Sequence, residues 1–298
     1  MQRLARFHAI QQLDPVRDTC DICRQLAGYE FPWDITRALE IALFRTFCVP
    51  SVATLLDRTA EFHRHPQKRY DDTGLMVSMI LKWGYDSPKG QSVIQRMNQI
   101  HGHFPIQNAD FLYVLSTFIY EPVRWIERFG WRPLSPLEKQ ALFYFWLSIG
   151  QLMHIQDIPS SYEAFEAYNL DYERQHFHYS DANQRVGEST LNLFLSWFPQ
   201  PLRPLVRPFV YAIMDDRMIH AFGFPTPQPW QRRVVEQALR SRGNILRYVP
   251  PRQTPSFYMD EPQRSYPQGY ELTDLGPPQM LPKLNAPEAG QTDSGHQD

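Results

Sequence analysis

Two histidines, His101 and His103 in Gln-Ile-His-Gly-His-Phe, close a stretch that carries Val93, Ile94, Met97 and Ile100 at helical spacing. A neutral imidazole is a good iron ligand, and Met97 and Ile100 beside it would press apolar surface against a porphyrin. Spacing alone does not single them out, because a histidine at a helix C-terminus is also a favourable cap. Cys20 and Cys23 have the spacing of half a zinc site or of a redox pair. No second CxxC and no histidine pair at finger spacing accompanies them, which leaves two ordinary thiols as the simpler reading. The carboxylate pairs Asp71-Asp72 and Asp215-Asp216 read as solvated or salt-bridged faces. The sequence contains no Gly-rich phosphate loop, no HExxH and no G-x-S-x-G, which sets aside the common nucleotide, zinc-protease and hydrolase chemistries.

Composition narrows the partners. The 298 residues carry a formal net charge of −2 with both signs mixed along the chain, and no basic stripe suited to nucleic acid. Aromatic residues make up 14%, spread along the chain, enough for a sizeable aromatic core. Three cysteines rule out a disulfide framework and suit a reducing compartment. The first residues lack the apolar run of a secretory signal. The most apolar stretch, 141–155, is short for a membrane span and contains Ser148, Gly150, Gln151 and His154. The expectation is a cytoplasmic protein without an obligate protein partner, with peripheral contact to a membrane left open.

Helical spacing organises most of the chain. Residues 1–30 are polar and weakly periodic and read as a loosely ordered arm. From Asp34, a suitable N-cap, the residues Ile35, Leu39, Leu43, Phe44 and Phe47 recur at helical spacing. The pattern continues past a kink at Pro50 through Val52, Leu55 and Leu56. Residues 59–72 turn polar and basic before Leu75, Met76, Met79, Ile80 and Trp83 restore the period, and residues 89–103 form the amphipathic helix that ends on the histidines. Asn108 caps a densely apolar helix, and Pro122 resets the chain. Ser135-Pro136-Leu137-Glu138 reads as a capping box that opens the longest apolar helix, up to about Asp157. Ser160 or Ser161, Asp181, Pro201 and Pro229 open the rest. Strand patterns are nearly absent, so the class is all-α, with one helical domain over 31–248. From 249 to 298 prolines gather among Gln, Gly, Ser and Asp, and this tail reads as disordered or as an extended surface wrap.

Several segments, in order, resemble the MpaB and rubber oxygenase family. They are Leu43-Phe44-Arg45-Thr46-Phe47-Cys48-Val49-Pro50-Ser51, Lys68-Arg69-Tyr70-Asp71-Asp72-Thr73, Arg96-Met97-Asn98-Gln99-Ile100-His101, and Asn108-Ala109-Asp110-Phe111-Leu112-Tyr113-Val114-Leu115-Ser116. Phe129-Gly130-Trp131-Arg132 and Ile155-Gln156-Asp157-Ile158-Pro159 follow. The resemblance runs from about residue 40 to residue 200 and is closer to the MpaB branch than to the latex-clearing branch.

That resemblance implies an all-α bundle with a globin-like core holding haem b through a proximal histidine, for which His101 is the matching position and His103 the competitor. It also implies an Arg and a Thr near the haem, matched by Arg69 and Thr73, whose spacing of four puts them on one helix face. Arg69 would then stabilise a propionate or a bound oxygen species, and Thr73 would donate a hydrogen bond on the distal side. The plainer alternative is Arg69 paired with Asp72 or Glu61 and Thr73 as an N-cap. Where the latex-clearing branch places a distal Lys, this chain has Asp71-Asp72, so lysine ligation is not expected, and Asp72 is either a distal polar group or solvent-facing. Asn98, one turn before His101, is a candidate for orienting the ligand or contacting a propionate. Asp110 is a candidate acceptor for the ligand's other ring nitrogen. The implied function is O₂-dependent cleavage of a C=C bond in a lipophilic, isoprenoid-type small molecule, in a channel of the kind Phe118, Trp125, Trp131, Phe143, Trp146 and Met153 would line. The rivals are a haem-binding sensor or carrier without turnover, and a helical interaction module that has lost its cofactor.

Overall fold

The computed structural model describes residues 4–286, which are helical with no strand among them. In order they form α1 (Ala5–Ile10), α2 (Thr19–Gln25), a π-helical turn at Leu26–Glu30, α3 (Pro32–Thr46), α4 (Pro50–Thr59), α5 (Glu61–Arg64) and α6 (Pro66–Trp83). Next come α7 (Pro88–His101), α8 (Asn108–Phe129), α9 (Pro136–Leu152), α10 (Tyr162–His176) and α11 (Asp181–Ser196). The last are α12 (Arg203–Ile213), α13 (Asp216–Phe222), α14 (Pro229–Leu246) and α15 (Leu281–Leu284). No single helix among the described residues is long and apolar enough to cross a membrane.

Many of the helices start on proline. α3, α4, α6, α7, α9 and α14 each open with one at their first position, where the missing N–H removes no intrahelical bond and the fixed φ suits a helix. Ser135 and Glu138 form the capping box of α9, and Ser161 caps α10. The break before Pro50 turns α3 into α4 through 94°. α8 is the central element, flanked by α3, α9, α10 and α14, and it is apolar on most sides because it has neighbours on most sides.

Local readings shift in three places. Asp34 lies inside α3 instead of capping it, and its buried carboxylate accepts from Trp125 Nε1 at 3.2 Å and Arg242 Nη1 at 2.8 Å. Caps pass to neighbours: Gln107 precedes α8 and Ser180 precedes α11, one residue before Asn108 and Asp181. Pro122 sits within α8, which continues because Val123, Trp125, Ile126 and Phe129 bury apolar surface beyond it, outweighing one lost hydrogen bond.

The N-terminal end of the chain departs from expectation, and the C-terminal end takes one of the two expected forms. The N-terminal thirty residues are helical and packed: Ile10, Ile22, Cys23 and Leu26 are fully buried, and α2 lies against α6 and α9. Isolated apolar residues sufficed because several of them, Ile10, Ile22, Cys23 and Leu26, point inward. Of the Pro-rich segment, residues 249–286 take the wrap alternative, and residues 287–298 lie outside the described residues. The wrap is held by Phe257 and Leu275, which are buried in the core, and by polar groups. Asp71 accepts from Tyr258 OH at 2.9 Å and from the Ser265 backbone N–H at 2.9 Å, and Asp72 accepts from the Gly276 N–H at 3.1 Å and from Tyr266 OH. Arg96 donates to the carbonyls of Thr273 and Leu275. Asp71→Ala strands the Ser265 N–H and the Tyr258 hydroxyl, so urea denaturation should show a loss of about 2–4 kcal/mol. Trypsin should then cut at Arg264 under conditions that leave the parent chain intact.

Candidate active site

Between the bent α3–α4 pair, α6, α7, α8 and the end of α9 lies an apolar cavity, in which the centres of water-sized molecules have about 220 Å³. Leu43 and Phe47 of α3, Val52, Leu55 and Leu56 of α4, and Phe111, Val114 and Phe118 of α8 supply much of its wall. Gly276 and Pro277 of the C-terminal wrap close it on another side. Few polar side chains reach it, among them His101, Arg69, Thr73, Asp72, Asp110, Glu61, Thr46 and Thr59.

His101 stands at the last position of α7 with its ring set edge-on to Phe111, centroids 5.5 Å apart. Its Nδ1 is buried without a hydrogen-bond partner among the described residues. A buried ring nitrogen left unpaired is costly and calls for an explanation. Burial, and then the positive charge of Arg69, push its pKa down from 6.5 to about 4, so the imidazole is neutral near pH 7.

Arg69 and Thr73 face each other one turn apart on α6. Arg69 Nη1 donates to Thr73 Oγ1, and Thr73 Oγ1 donates to the Arg69 carbonyl. Desolvation lowers the pKa of the Arg69 guanidinium, and the charges of Asp72 and Glu61 only partly oppose this. Neither acid forms an ion pair with it. Asp72 is taken by Lys68 Nζ at 2.8 Å together with Tyr266 and Gly276, and Glu61 accepts from Gln279 Nε2 at 2.7 Å. Thr73 is inside its helix and caps nothing. The cavity thus holds a half-buried cation lacking an anionic partner among the described residues, beside a neutral ring lacking a hydrogen bond at Nδ1.

His101, Arg69, Thr73, Asp72 and Asp110 therefore line one cavity. Asp110 makes no bond to His101: its Oδ1 accepts from Ser51 Oγ at 2.8 Å and Tyr172 OH at 2.7 Å. Asn98 lies outside the lining, its amide donating to the Leu152 carbonyl at 2.9 Å and tying α7 to the end of α9. His103 is exposed, its Nδ1 on the Gln99 carbonyl at 2.7 Å. Of the aromatic and Met set, Phe118, Trp146 and Met153 line the cavity, whereas Trp125, Trp131 and Phe143 are core.

Other chemistry-bearing groups serve structure. Cys23 is buried, and burial together with Asp86 pushes Cys20 up to about 12, so neither is a thiolate near neutral pH. Asp215 caps α13 and pairs with Arg45 at 2.5 Å, and Asp216 pairs with Arg232. Sequence reasoning missed Gly276 and Pro277, which no periodicity marks. It saw Leu43, Phe47, Val52, Leu55 and Leu56 only as core, because a core face and a cavity wall share the same pattern.

Residues 36–243 match the family described as ER-bound oxygenase mpaB/B'/Rubber oxygenase, catalytic domain. The ER-bound oxygenase mpaB' of Penicillium brevicompactum is 28% identical over 323 residues, covering 86% of this chain and 76% of that protein. The ER-bound oxygenase mpaB of Penicillium roqueforti (strain FM164) is 28% identical over 215 residues, covering 66% of this chain and 72% of that protein. With the family matched over more than half its length, this all-helical chain belongs to the mpaB-type and rubber oxygenases and is an oxidoreductase.

Proposed function

We propose that the chain is a haem-b oxygenase that uses O₂ to cleave a C=C bond of a lipophilic, isoprenoid-type molecule, with His101 as the residue that would hold the iron. The observation that carries this reading is the half-buried His101 imidazole, neutral and with its buried Nδ1 unpaired, in an apolar cavity shared with an Arg69 that has no ion-pair partner among the described residues. The residues fit haem: a neutral ring for the metal, a half-buried guanidinium for an anionic substituent, and apolar walls for a macrocycle.

Haem, when bound, supplies the redox chemistry with O₂. The chain's own residues do the rest. His101 keeps an unprotonated nitrogen available at neutral pH because desolvation and Arg69 disfavour the imidazolium. Arg69 presents charge-assisted donors to an anionic group such as a propionate. Thr73, whose hydroxyl proton rests on the Arg69 carbonyl, can turn it toward an acceptor in the cavity. Leu43, Phe47, Val114 and Phe118 exclude water and favour an apolar substrate. Asp72 and Asn98 act as anchors of the surrounding wall. The relatives' description as ER-bound and the lipophilic substrate together support peripheral contact with a membrane.

The absorption spectrum tests the central claim. The wild type should show a Soret band that His101→Ala loses, and no Soret band after haem reconstitution of the wild type would sink it. O₂-dependent carbonyl products from a polyprenyl substrate separate an oxygenase from a haem sensor or carrier. Arg69→Met and Thr73→Val should keep haem and lose about 10²-fold in turnover; full turnover would remove their roles. The ligand-free chain should also report its histidine. Because the folded pKa of about 4 lies below the unfolded 6.5, only the unfolded chain gains this proton between those values. Stability therefore falls as pH drops through that window, by about 2–3 kcal/mol, a component that urea denaturation should find missing in His101→Phe.

A further inference from the structure

α14 packs by one side against α8 and α12, and its other side is open. On that open side stand Trp230, Val234 and Ile245, with Tyr248 just past the helix end, at 55%, 49%, 63% and 88% exposure. Their spacings of four, eleven and three residues place them along one stripe of a helix about 27 Å long. α12 extends the stripe, since the Phe209 ring meets Trp230 at 6.0 Å and Leu205, one turn before Phe209, is 65% exposed. Single exposed apolar residues need no explanation, but here one helix side carries two pairs, Trp230 with Val234 and Ile245 with Tyr248, with the exposed polar Gln237 and Ser241 between them.

Charge says what covers it. Arg233, Arg240 and Arg247 recur every seven residues along one flank of the stripe. Arg233 has no partner among the described residues, Arg240 has only the surface Glu236, and Arg247 uses its Nε on the Trp131 carbonyl. Residues 198–249 hold eight arginines against three acidic residues, in a chain whose formal net charge is −2. An apolar stripe edged by arginine is the pattern of a helix lying in a membrane interface. A second copy would set the same arginines against each other across a two-fold axis, whereas anionic headgroups complement them.

We propose that the open face of α12 and α14 docks the protein onto an anionic bilayer surface, with Trp230, Val234, Ile245 and Leu205 entering the acyl boundary and Arg233, Arg240 and Arg247 meeting lipid headgroups. This rests on the membrane contact proposed above and is independent of haem.

The full chain should sediment with vesicles of phosphatidylcholine and phosphatidylserine, less with phosphatidylcholine alone, and less as salt rises. Arg233→Glu with Arg240→Glu, and separately Trp230→Ser with Val234→Ser and Ile245→Ser, should each weaken binding tenfold or more while circular dichroism and thermal unfolding stay unchanged. Quenching of tryptophan fluorescence by brominated acyl chains should fall in Trp230→Phe. Failure to bind phosphatidylserine vesicles, or binding untouched by both variants, overturns the proposal. So does light scattering that shows a dimer which the apolar variant splits, since the face then belongs to a second copy. None of these readouts depends on a Soret band or on turnover, so the docking face and the haem reading stand or fall separately.

Discussion

The desolvation of two turns of α6 is the constraint on which the site depends. Gln67, Lys68 and Arg69 are followed one turn later by Asp71, Asp72 and Thr73, and each residue hydrogen-bonds its partner four positions on. At 100° per residue these three pairs point in three directions. Gln67 with Asp71 and Lys68 with Asp72 meet the C-terminal wrap, while Arg69 with Thr73 faces the cavity. Because the two aspartates are spent on backbone N–H groups, tyrosine hydroxyls and Lys68, neither neutralises Arg69. A low-dielectric surrounding then makes that unpaired guanidinium felt strongly, and it helps to keep His101 neutral.

The walls are fixed by ionic groups of a different kind. Arg45, between the cavity residues Leu43 and Phe47, pairs with Glu173 of α10 at 2.5 Å and with Asp215 at the head of α13. Tyr113 of α8 donates to the same Glu173 at 3.1 Å. Four helices are thereby bound at one buried point beside the α3–α4 bend. At the other end of the molecule Arg132 joins Glu138 of α9 to Glu30 of the π-helical turn, fastening the N-terminal segment to the core. Buried pairs of this sort add modest net stability but are strongly destabilising when broken, so they specify arrangement more than they add strength. Here the arrangement they specify is the frame around an apolar hollow.

The wrap changes what the cavity is. Without residues 256–277 the hollow beside α6 would lack Gly276 and Pro277, and Asp71 and Asp72 would be carboxylates facing water. With it, the aspartates are 1% and 3% exposed and act as acceptors for a segment whose Phe257 and Leu275 are buried in the core. A segment without a helical pattern is thus ordered by a few buried apolar anchors together with acceptors that await its N–H groups.

The sequence by itself determined the helical class, the helix starts at Pro136 and Pro229 and the α9 capping box, because these rest on local periodicity and on backbone chemistry within a few residues. It also supplied the ordered motif segments that set His101 above His103 and placed Arg69 with Thr73. Tertiary structure alone decided which groups share a space. It gave Asp110 to Ser51 and Tyr172 instead of His101, turned Asn98 to the Leu152 carbonyl, and divided Phe118 and Trp146 of the cavity from Trp125 and Phe143 of the core. It also drew the polar ends of the chain onto the helical body. The physical reason is one of range: spacing along a helix fixes the face a side chain occupies, whereas the partner that meets it arrives from fifty to two hundred residues away, through packing that no local pattern encodes.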